Sequence, residues 1–357
     1  MLLGLTLALG HTAACETASS KVDGSDLRGV FDPDAGTPAV APGSGAPTAS
    51  ALPIPGSAAP ATSASVRAPT APRAPGGEGC VESGGGARTD VRRTIGRPAC
   101  RGADILEWRD PAGAPRYACL HAAPGAARGP LPLLVFLHGD GPTVDSPTAV
   151  TKQTGLRALQ GGTRIGDSSS PGFHVLAVQG RALAGENTAS FDASTGADNL
   201  DVVAIDHFVA AIEARGMVDR RRVYAVGLGP GGTMAATWAM LRADRVAAFA
   251  AFSSPPPEAR WVCPGPPPPA VVMYRACDAI VACEDVESWL GAREAARART
   301  VALRLGDDTR EVLHCETRNS CGKKRGTAAH ARWPKGLEKR LLESLGEHAL
   351  ALPGAAR

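Results

Sequence analysis

Between Val223 and Gly232 the chain reads Val-Tyr-Ala-Val-Gly-Leu-Gly-Pro-Gly-Gly. The apolar run at its start suits a short buried strand, and the run from about Thr233 to Arg242 suits a helix. The glycine-dense segment between them forces a sharp turn. Glycine there lets strand and helix approach with no side chain between them. A strand that turns at once into a helix is a building unit of sheets whose strands run parallel. This stretch therefore constrains everything around it.

The rest of the chain follows the same alternation. Apolar runs at Arg116–His121, Leu133–Leu137, His174–Val178, Val223–Val226, Ala247–Phe252, Ala270–Tyr274 and Val301–Leu305 read as strands. Most are continuous rather than alternating, as strands buried on both faces are. Val202, Ile205, Val209 and Ile212 form one stripe of a helix over about Leu200 to Ala214. Val286, Trp289 and Leu290 begin a second stripe, which Arg293 and Glu294 cut short, and Leu337, Leu341, Leu342 and Leu345 make a third after Pro334. The pattern predicts an α/β fold with a mostly parallel sheet covered by helices on both faces, and a site at the carboxyl ends of its strands.

Only part of the 357 residues is domain-like. Leu2 to Gly10 is an apolar run ending near Thr12-Ala13-Ala14-Cys15, too short to span a bilayer as a helix. It resembles a signal-peptide core with small residues at a cleavage site. A cysteine directly after Ala13-Ala14 resembles a bacterial lipobox, in which that cysteine is acylated. Residues 1–15 thus read as a signal segment ending in a lipidated Cys15, which attaches the chain to a membrane of the cell envelope, the bacterial outer membrane above all. Release to the periplasm or the outside is the alternative. Residues 16–79 are Ala, Pro, Ser, Thr and Gly with almost no aromatics, so they cannot bury enough surface to offset their conformational entropy. They read as a disordered tether that reaches on the order of 40 Å as a flexible coil. Residues 80–357 remain for one large folded domain.

Eight cysteines fall in that domain: Cys80, Cys100, Cys119, Cys263, Cys277, Cys283, Cys315 and Cys321. An even set in an exported chain reads as a disulfide-braced framework, and the sequence selects no pairing. No C-x2-C pair occurs and the spacings fit no zinc finger or ribbon, so no metal site is expected. With a net charge of +3 and 20% charged residues, nothing points to nucleic acid. The densest basic spot, Lys323-Lys324-Arg325, reads as a solvated loop.

Three stretches carry groups suited to chemistry. After Leu133–Leu137 comes His138-Gly139-Asp140-Gly141-Pro142, a buried strand ending in a glycine turn whose backbone is left open to a neighbouring group. After Ala270–Tyr274, Asp278 lies in the loop that follows the strand, while Asp285 suits better the cap of the helix at Val286. His330, in Ala329-His330-Ala331-Arg332-Trp333-Pro334, stands ahead of the final helix. His11, His121, His174, His207, His314 and His348 have no comparable support.

These landmarks resemble the α/β-hydrolases, and within them the secreted polyhydroxybutyrate depolymerase and feruloyl esterase-like family. The resemblance covers about Arg116 to the C-terminus. Leu137-His138-Gly139 stands for the family's LHG turn, Asp201 lies in the helix before the elbow, and Val218-Asp219-Arg220-Arg221-Arg222-Val223-Tyr224 stands for the VDP-x-RVY lead-in. Gly227-Leu228-Gly229-Pro230-Gly231-Gly232 stands for the GLSNGG nucleophile elbow, and His330-Ala331-Arg332-Trp333-Pro334 for the H-x-WP-like ending. The resemblance implies an α/β-hydrolase fold and a serine esterase acting on short-chain or aromatic carboxylic esters or on polyester, with no metal or cofactor. Acyl transfer to serine would use His330 as base and Asp278 as its orienting acid, with His138, Gly139, Asp140 and residue 230 bordering the oxyanion hole.

Two departures fall on the elbow itself. The serine position is Gly229, which has no hydroxyl, and the next residue is Pro230, which has no N–H to donate. The sequence therefore predicts a catalytically impaired ester hydrolase. The alternative is a non-catalytic, envelope-tethered binding protein that holds a small or polymeric ester, or another envelope ligand, in the former cleft. A third reading relocates the nucleophile to Ser253, Ser254 or Thr233, none of which stands on a strained turn.

Overall fold

The computed structural model describes residues 79–82, 96–124, 129–140, 149–182, 188–192, 194, 196, 198–257 and 261–351, all within one compact unit, 65–357. The signal segment with Cys15, residues 16–78 of the linker, and Gly141 and Pro142 of the glycine turn lie outside them.

The strands, in chain order, are β1 (Val81–Glu82), β2 (Asp104–Arg109), β3 (Pro115–His121), β4 (Leu131–Leu137), β5 (His174–Val178), β6 (Arg181–Ala182), β7 (Ala189–Ser190), β8 (Val218–Leu228), β9 (Ala248–Phe252), β10 (Trp261–Val262), β11 (Ala270–Arg275) and β12 (Thr300–Leu305). The helices are α1 (Leu156–Leu159), α2 (Leu200–Ala214), α3 (Pro230–Leu241), α4 (Cys283–Ala295), α5 (Arg318–Cys321), α6 (Lys323–Ala331) and α7 (Glu338–Gly346). Eight strands form one sheet in the order β2-β3-β5-β4-β8-β9-β11-β12. From β5 to β12 every neighbouring pair is parallel, whereas β3 runs antiparallel to both β2 and β5.

Side chains alternate across a strand, so β4 divides its apolar run between two cores. Leu133, Val135 and Leu137 join Val202, Ile205 and Phe208 of α2 and Trp238 of α3 on one face. Leu134 and Phe136 join Leu156 of α1 and Leu341, Leu342 and Leu345 of α7 on the other. Both faces are covered, which is why the central strands are apolar throughout.

Several boundaries differ from the sequence reading, each for a physical reason. The edge strand β2 was not anticipated. Its sequence, Asp-Ile-Leu-Glu-Trp-Arg, is half exposed and lacks a continuous apolar run. β8 extends back through the lead-in because Arg222 pairs with both Asp167 and Asp219, which matches its charge inside the extended segment. α3 begins at Pro230 rather than Thr233, since proline fits the first turn of a helix, where an N–H has no partner anyway. α4 runs through Arg293 and Glu294 instead of stopping there. The buried Arg293 guanidinium lies over the Phe249 and Trp289 rings, at 5.1 and 5.4 Å, and donates to the Pro268 carbonyl. Lys323-Lys324-Arg325 is the first turn of helix α6 and not a loop, with Arg325 held by Glu316 and Asp307.

Asp201, in the first turn of α2, is fully buried and pairs with Arg116 of β3 and Arg181 of β6. It also accepts the Asp192 N–H at 2.7 Å. Burial alone would raise its carboxyl pKa, but the two guanidiniums and this N–H hold it below the usual carboxylate range. The eight cysteines pair as Cys80–Cys263, Cys100–Cys119, Cys277–Cys321 and Cys283–Cys315. Four disulfides are compatible with an oxidising compartment. Among the described residues, no helix is long and apolar enough to cross a membrane.

Candidate active site

β8 ends at Leu228, α3 starts at Pro230, and Gly229 makes the turn between them with φ 53° and ψ −128°. L-residues rarely hold this conformation, and a nucleophile elbow imposes it on its serine. The flanking glycines are sterically required. A Cβ on Gly227 would stand 2.1 Å from the Gly231 carbonyl oxygen, and one on Gly231 would stand 2.2 Å from that of His138. Gly229 is different. A Cβ there would meet nothing closer than the Gly139 Cα at 3.8 Å and Nε2 of His330 at 3.9 Å. At residue 229 the elbow keeps its backbone and the room for a side chain, and lacks the side chain.

His330 comes from the last turn of α6, and Asp278 from the loop after β11. His330 Nδ1 lies 2.9 Å from Asp278 Oδ2 and 3.1 Å from Oδ1. The Ile280 and Val281 backbone N–H groups both donate to Asp278 Oδ1 at 2.9 Å, so the carboxylate is fixed from its own loop. Neither Asp278 nor Asp285 caps α4: the N-cap is Ala282, with no side-chain cap bond, and Asp285 lies inside the first turn, where its charge suits the helix N-terminus. Two features press α6 onto the acid loop. Cys277, next to Asp278, is bonded to Cys321 just before α6. Gly326 of α6 lies so close that a Cβ there would come within 2.7 Å of Ala279.

The glycine turn after β4 closes the other side of the gap, through Gly139. His138 itself is fully buried and does not face the site. Its Nδ1 bonds the Gly139 carbonyl at 2.7 Å, and its Nε2 accepts the Gly180 N–H at 2.9 Å. The first contact places the proton on Nδ1. Burial drives the His138 pKa down to about 4, so the ring is a neutral brace for the turn. Asp140 follows at the exposed end of the turn. On the elbow side Pro230 stands where a second donor would be and has none to give.

The hydroxyls considered as relocated nucleophiles are engaged or enclosed. Ser254 Oγ donates to the Phe252 carbonyl at 2.9 Å, and Thr233 Oγ1 to that of Pro255 at 2.6 Å. Ser253, directly after β9, does stand in a strained backbone, against the sequence expectation, with a φ of 44°, but it is 0% exposed. Among the described residues none of the three is hydrogen-bonded to His330.

The strand order, the single antiparallel strand β3 within the sheet's first half, and the elbow between β8 and α3 decide the architecture. The fold is that of the α/β-hydrolases. No family model matches the sequence, and a search of curated proteins finds no match. Among solved structures the chain is similar to a thermostable esterase at 16% identity, covering 70% of this chain and 64% of that one, with a TM-score of 0.48. It is similar to an esterase from the Planctomycetes species Thermogutta terrifontis at 17% identity over 73% and 98% of the two chains, TM-score 0.48. The Bacillus cereus carboxylesterase follows at 14% over 60% and 94%, TM-score 0.41. At these identities the likeness is one of chain path, and the chain's own strand order establishes the fold.

Two contributors to the site were not anticipated. Gly180 fixes the His138 ring, and only the folded chain brings residues 138 and 180 together. Arg275, the last residue of β11, donates to the Gly306, Asp308 and Arg332 carbonyls at 2.7, 2.6 and 2.7 Å. It thereby holds the segment that follows His330. Its signal in the sequence was a lone arginine directly after an apolar strand, where burial was to be expected.

Proposed function

We propose that this chain is a catalytically impaired relative of the secreted ester hydrolases, an exported protein whose site keeps the base and its orienting acid but cannot form an acyl-enzyme. The observation that carries this reading is the 3.9 Å between a Cβ built on Gly229 and His330 Nε2, with the other imidazole nitrogen on Asp278. The base faces an empty nucleophile position across the distance that a serine side chain would bridge. With its Nδ1 proton directed to Asp278, Nε2 of His330 offers a lone pair to whatever occupies that position.

In this reading a water takes the place of the serine hydroxyl. His330 accepts its proton as oxygen attacks the ester carbonyl, then returns that proton to the departing alkoxide, leaving acid and alcohol. The positive end of α3 and the Gly139 turn favour the developing negative charge. Pro230 removes a donor whose loss typically costs ~10²–10³ in rate, and a serine hydrolase without its triad keeps only ~10³–10⁴ over water. Turnover is therefore slow. Polyhydroxybutyrate-like or feruloyl-like esters, short-chain acyl esters included, are the substrates that the family resemblance favours. The four disulfides support export, with residues 16–79 as a tether to a lipid on Cys15.

The test is hydrolysis of a short-chain p-nitrophenyl ester series by the oxidised chain, with His330→Ala as the blank. We expect a slow rate that falls to the blank in the variant. The double substitution Gly229→Ser with Pro230→Asn should raise it by about 10²-fold or more. A double variant as slow as the parent, with its fold intact, would sink the claim that this is a preserved triad lacking its serine. A parent indistinguishable from the blank, with a double variant that does turn over, would favour the binding-protein reading, in which the old cleft retains an ester or polymer without cleaving it.

A further inference from the structure

Next to the segment that follows His330, the surface opens into a recess of about 560 Å³. Four cationic side chains line it, Lys152, Arg275, Arg332 and Lys335, together with two carboxylates, Asp307 and Asp308. The carboxylates are already matched to cations elsewhere, Asp307 to Arg325 at 2.6 Å and Asp308 to Arg310 at 2.5 Å. Among the described residues, none of the four lining cations has a carboxylate within salt-bridge distance. The recess carries an excess of positive charge.

Arg275 makes that excess structural. Its side chain is buried, at 1% exposure, and a buried guanidinium is costly unless something offsets its charge. The other buried arginines of this chain show how the cost is met. Arg116 pairs with Asp201 and Asp110, Arg181 with Asp201, and Arg222 with Asp167 and Asp219. Arg293 has no carboxylate partner among the described residues but lies over two aromatic rings, and its Nε donates to Thr300 Oγ1 at 3.0 Å.

Arg275 has one ring beneath it, Phe252 at 5.5 Å, and three carbonyls on its two Nη atoms, while its Nε has no hydrogen-bond partner among the described residues. The carbonyls fix the group in place without cancelling its charge. Burial, and then the nearby Arg332 charge, push its pKa below the usual arginine value against the opposing pull of Asp307, Asp278 and Asp308, whereas at Arg222 the carboxylates Asp167 and Asp219 outweigh burial.

We propose that this recess is an oxyanion-binding site that takes the carboxylate or phosphate group of a small ligand, with Arg275 as the fixed charge behind it and Lys152, Arg332 and Lys335 at its rim. Long, exposed cations at the rim fold over a small anion, and a buried, carbonyl-held guanidinium gives the site a permanent positive field. The proposal is independent of whether the neighbouring His330–Asp278 pair turns over an ester.

The experiment is a titration of the full oxidised chain with inorganic phosphate and, separately, with succinate. Ionic strength is held constant with sodium chloride, and binding is read by calorimetry and by the shift in Tm. The comparison variant is Lys152→Gln with Arg332→Gln and Lys335→Gln, three exposed positions whose change leaves the core intact, with circular dichroism as the check on folding. A single Arg332→Gln variant serves as backup. We expect saturable binding of at least one anion that weakens about tenfold or more in the triple variant. Binding of phosphate alone or of succinate alone identifies the class of ligand. No saturable binding of either anion, or equal binding by parent and triple variant, overturns the proposal.

Discussion

At Gly229 the chain keeps the backbone shape of a nucleophile elbow without a hydroxyl. Its φ of 53° suits glycine, and the surrounding atoms leave space for the Cβ that is missing. Gly229→Ala therefore tests strain without collision. We expect it to lower stability by about 1–3 kcal/mol, the cost of holding an L-residue in such a conformation, read as a shifted denaturant midpoint with unchanged slope. His138 gives a pH signature. Its folded pKa of about 4 lies below the unfolded value near 6.5, so between these two the unfolded chain binds the extra proton. Stability is then complete above about pH 6.5 and declines as pH falls, levelling near 4, by about 3 kcal/mol from this residue. His121, likewise lowered to about 4, adds in the same direction. His138→Gln should flatten the decline between pH 6.5 and 4 in urea unfolding, and a slope unchanged from the parent would contradict the assignment.

The base and acid of the candidate site arrive on different elements, α6 and the loop after β11, and what joins them is local. The Cys277–Cys321 disulfide closes a loop across 44 residues and sits beside Asp278. Loop-closure entropy for that length is about 4 kcal/mol at 25 °C. Cys277→Ala with Cys321→Ala should cost up to that amount in chemical denaturation. It should also broaden or remove the downfield proton resonance of the hydrogen bond between His330 Nδ1 and Asp278. A sharp, unmoved resonance would show that Gly326 packing alone aligns the two elements. Helix α6 was not legible as a helix. Lys-Lys-Arg-Gly-Thr-Ala-Ala-His-Ala has no apolar stripe, and only Gly326 and Ala329 are buried. Its place comes from the disulfide and from contact with Ala279, neither of which leaves a periodic signal. By contrast α2 was readable to its ends, because four aliphatic residues recur at helical spacing and Asn199 caps it through Asp201 N–H.

At the scale of the whole molecule, the sheet order is what brings residues 138, 229, 278 and 330 to one end of the parallel strands. The Cys80–Cys263 disulfide, beside the small β1–β10 ribbon, spans 183 residues and so ties the start of the domain to the segment between β9 and β11. By chain-entropy reasoning a loop of that length contributes about 5 kcal/mol, although native strain commonly reduces such values. Cys80→Ser with Cys263→Ser should therefore lower the denaturant midpoint more than the loss of Cys100–Cys119, which spans 19 residues, and paired unfolding curves of the two variants decide it. The sequence by itself determined the class of fold, because short unbroken apolar runs alternating with helical stripes are best buried as central strands between two helical layers. It also determined the two losses at the elbow, since a missing hydroxyl and a missing N–H are properties of glycine and proline in any conformation. The tertiary structure alone decided which cysteines pair, how the turn after β4 is braced by Gly180, that His330 faces the position of a side chain on residue 229, and that Arg275 is buried with no carboxylate in salt-bridge distance among the described residues. Each of these depends on atoms brought together from distant parts of the chain, and local pattern carries no record of such distances.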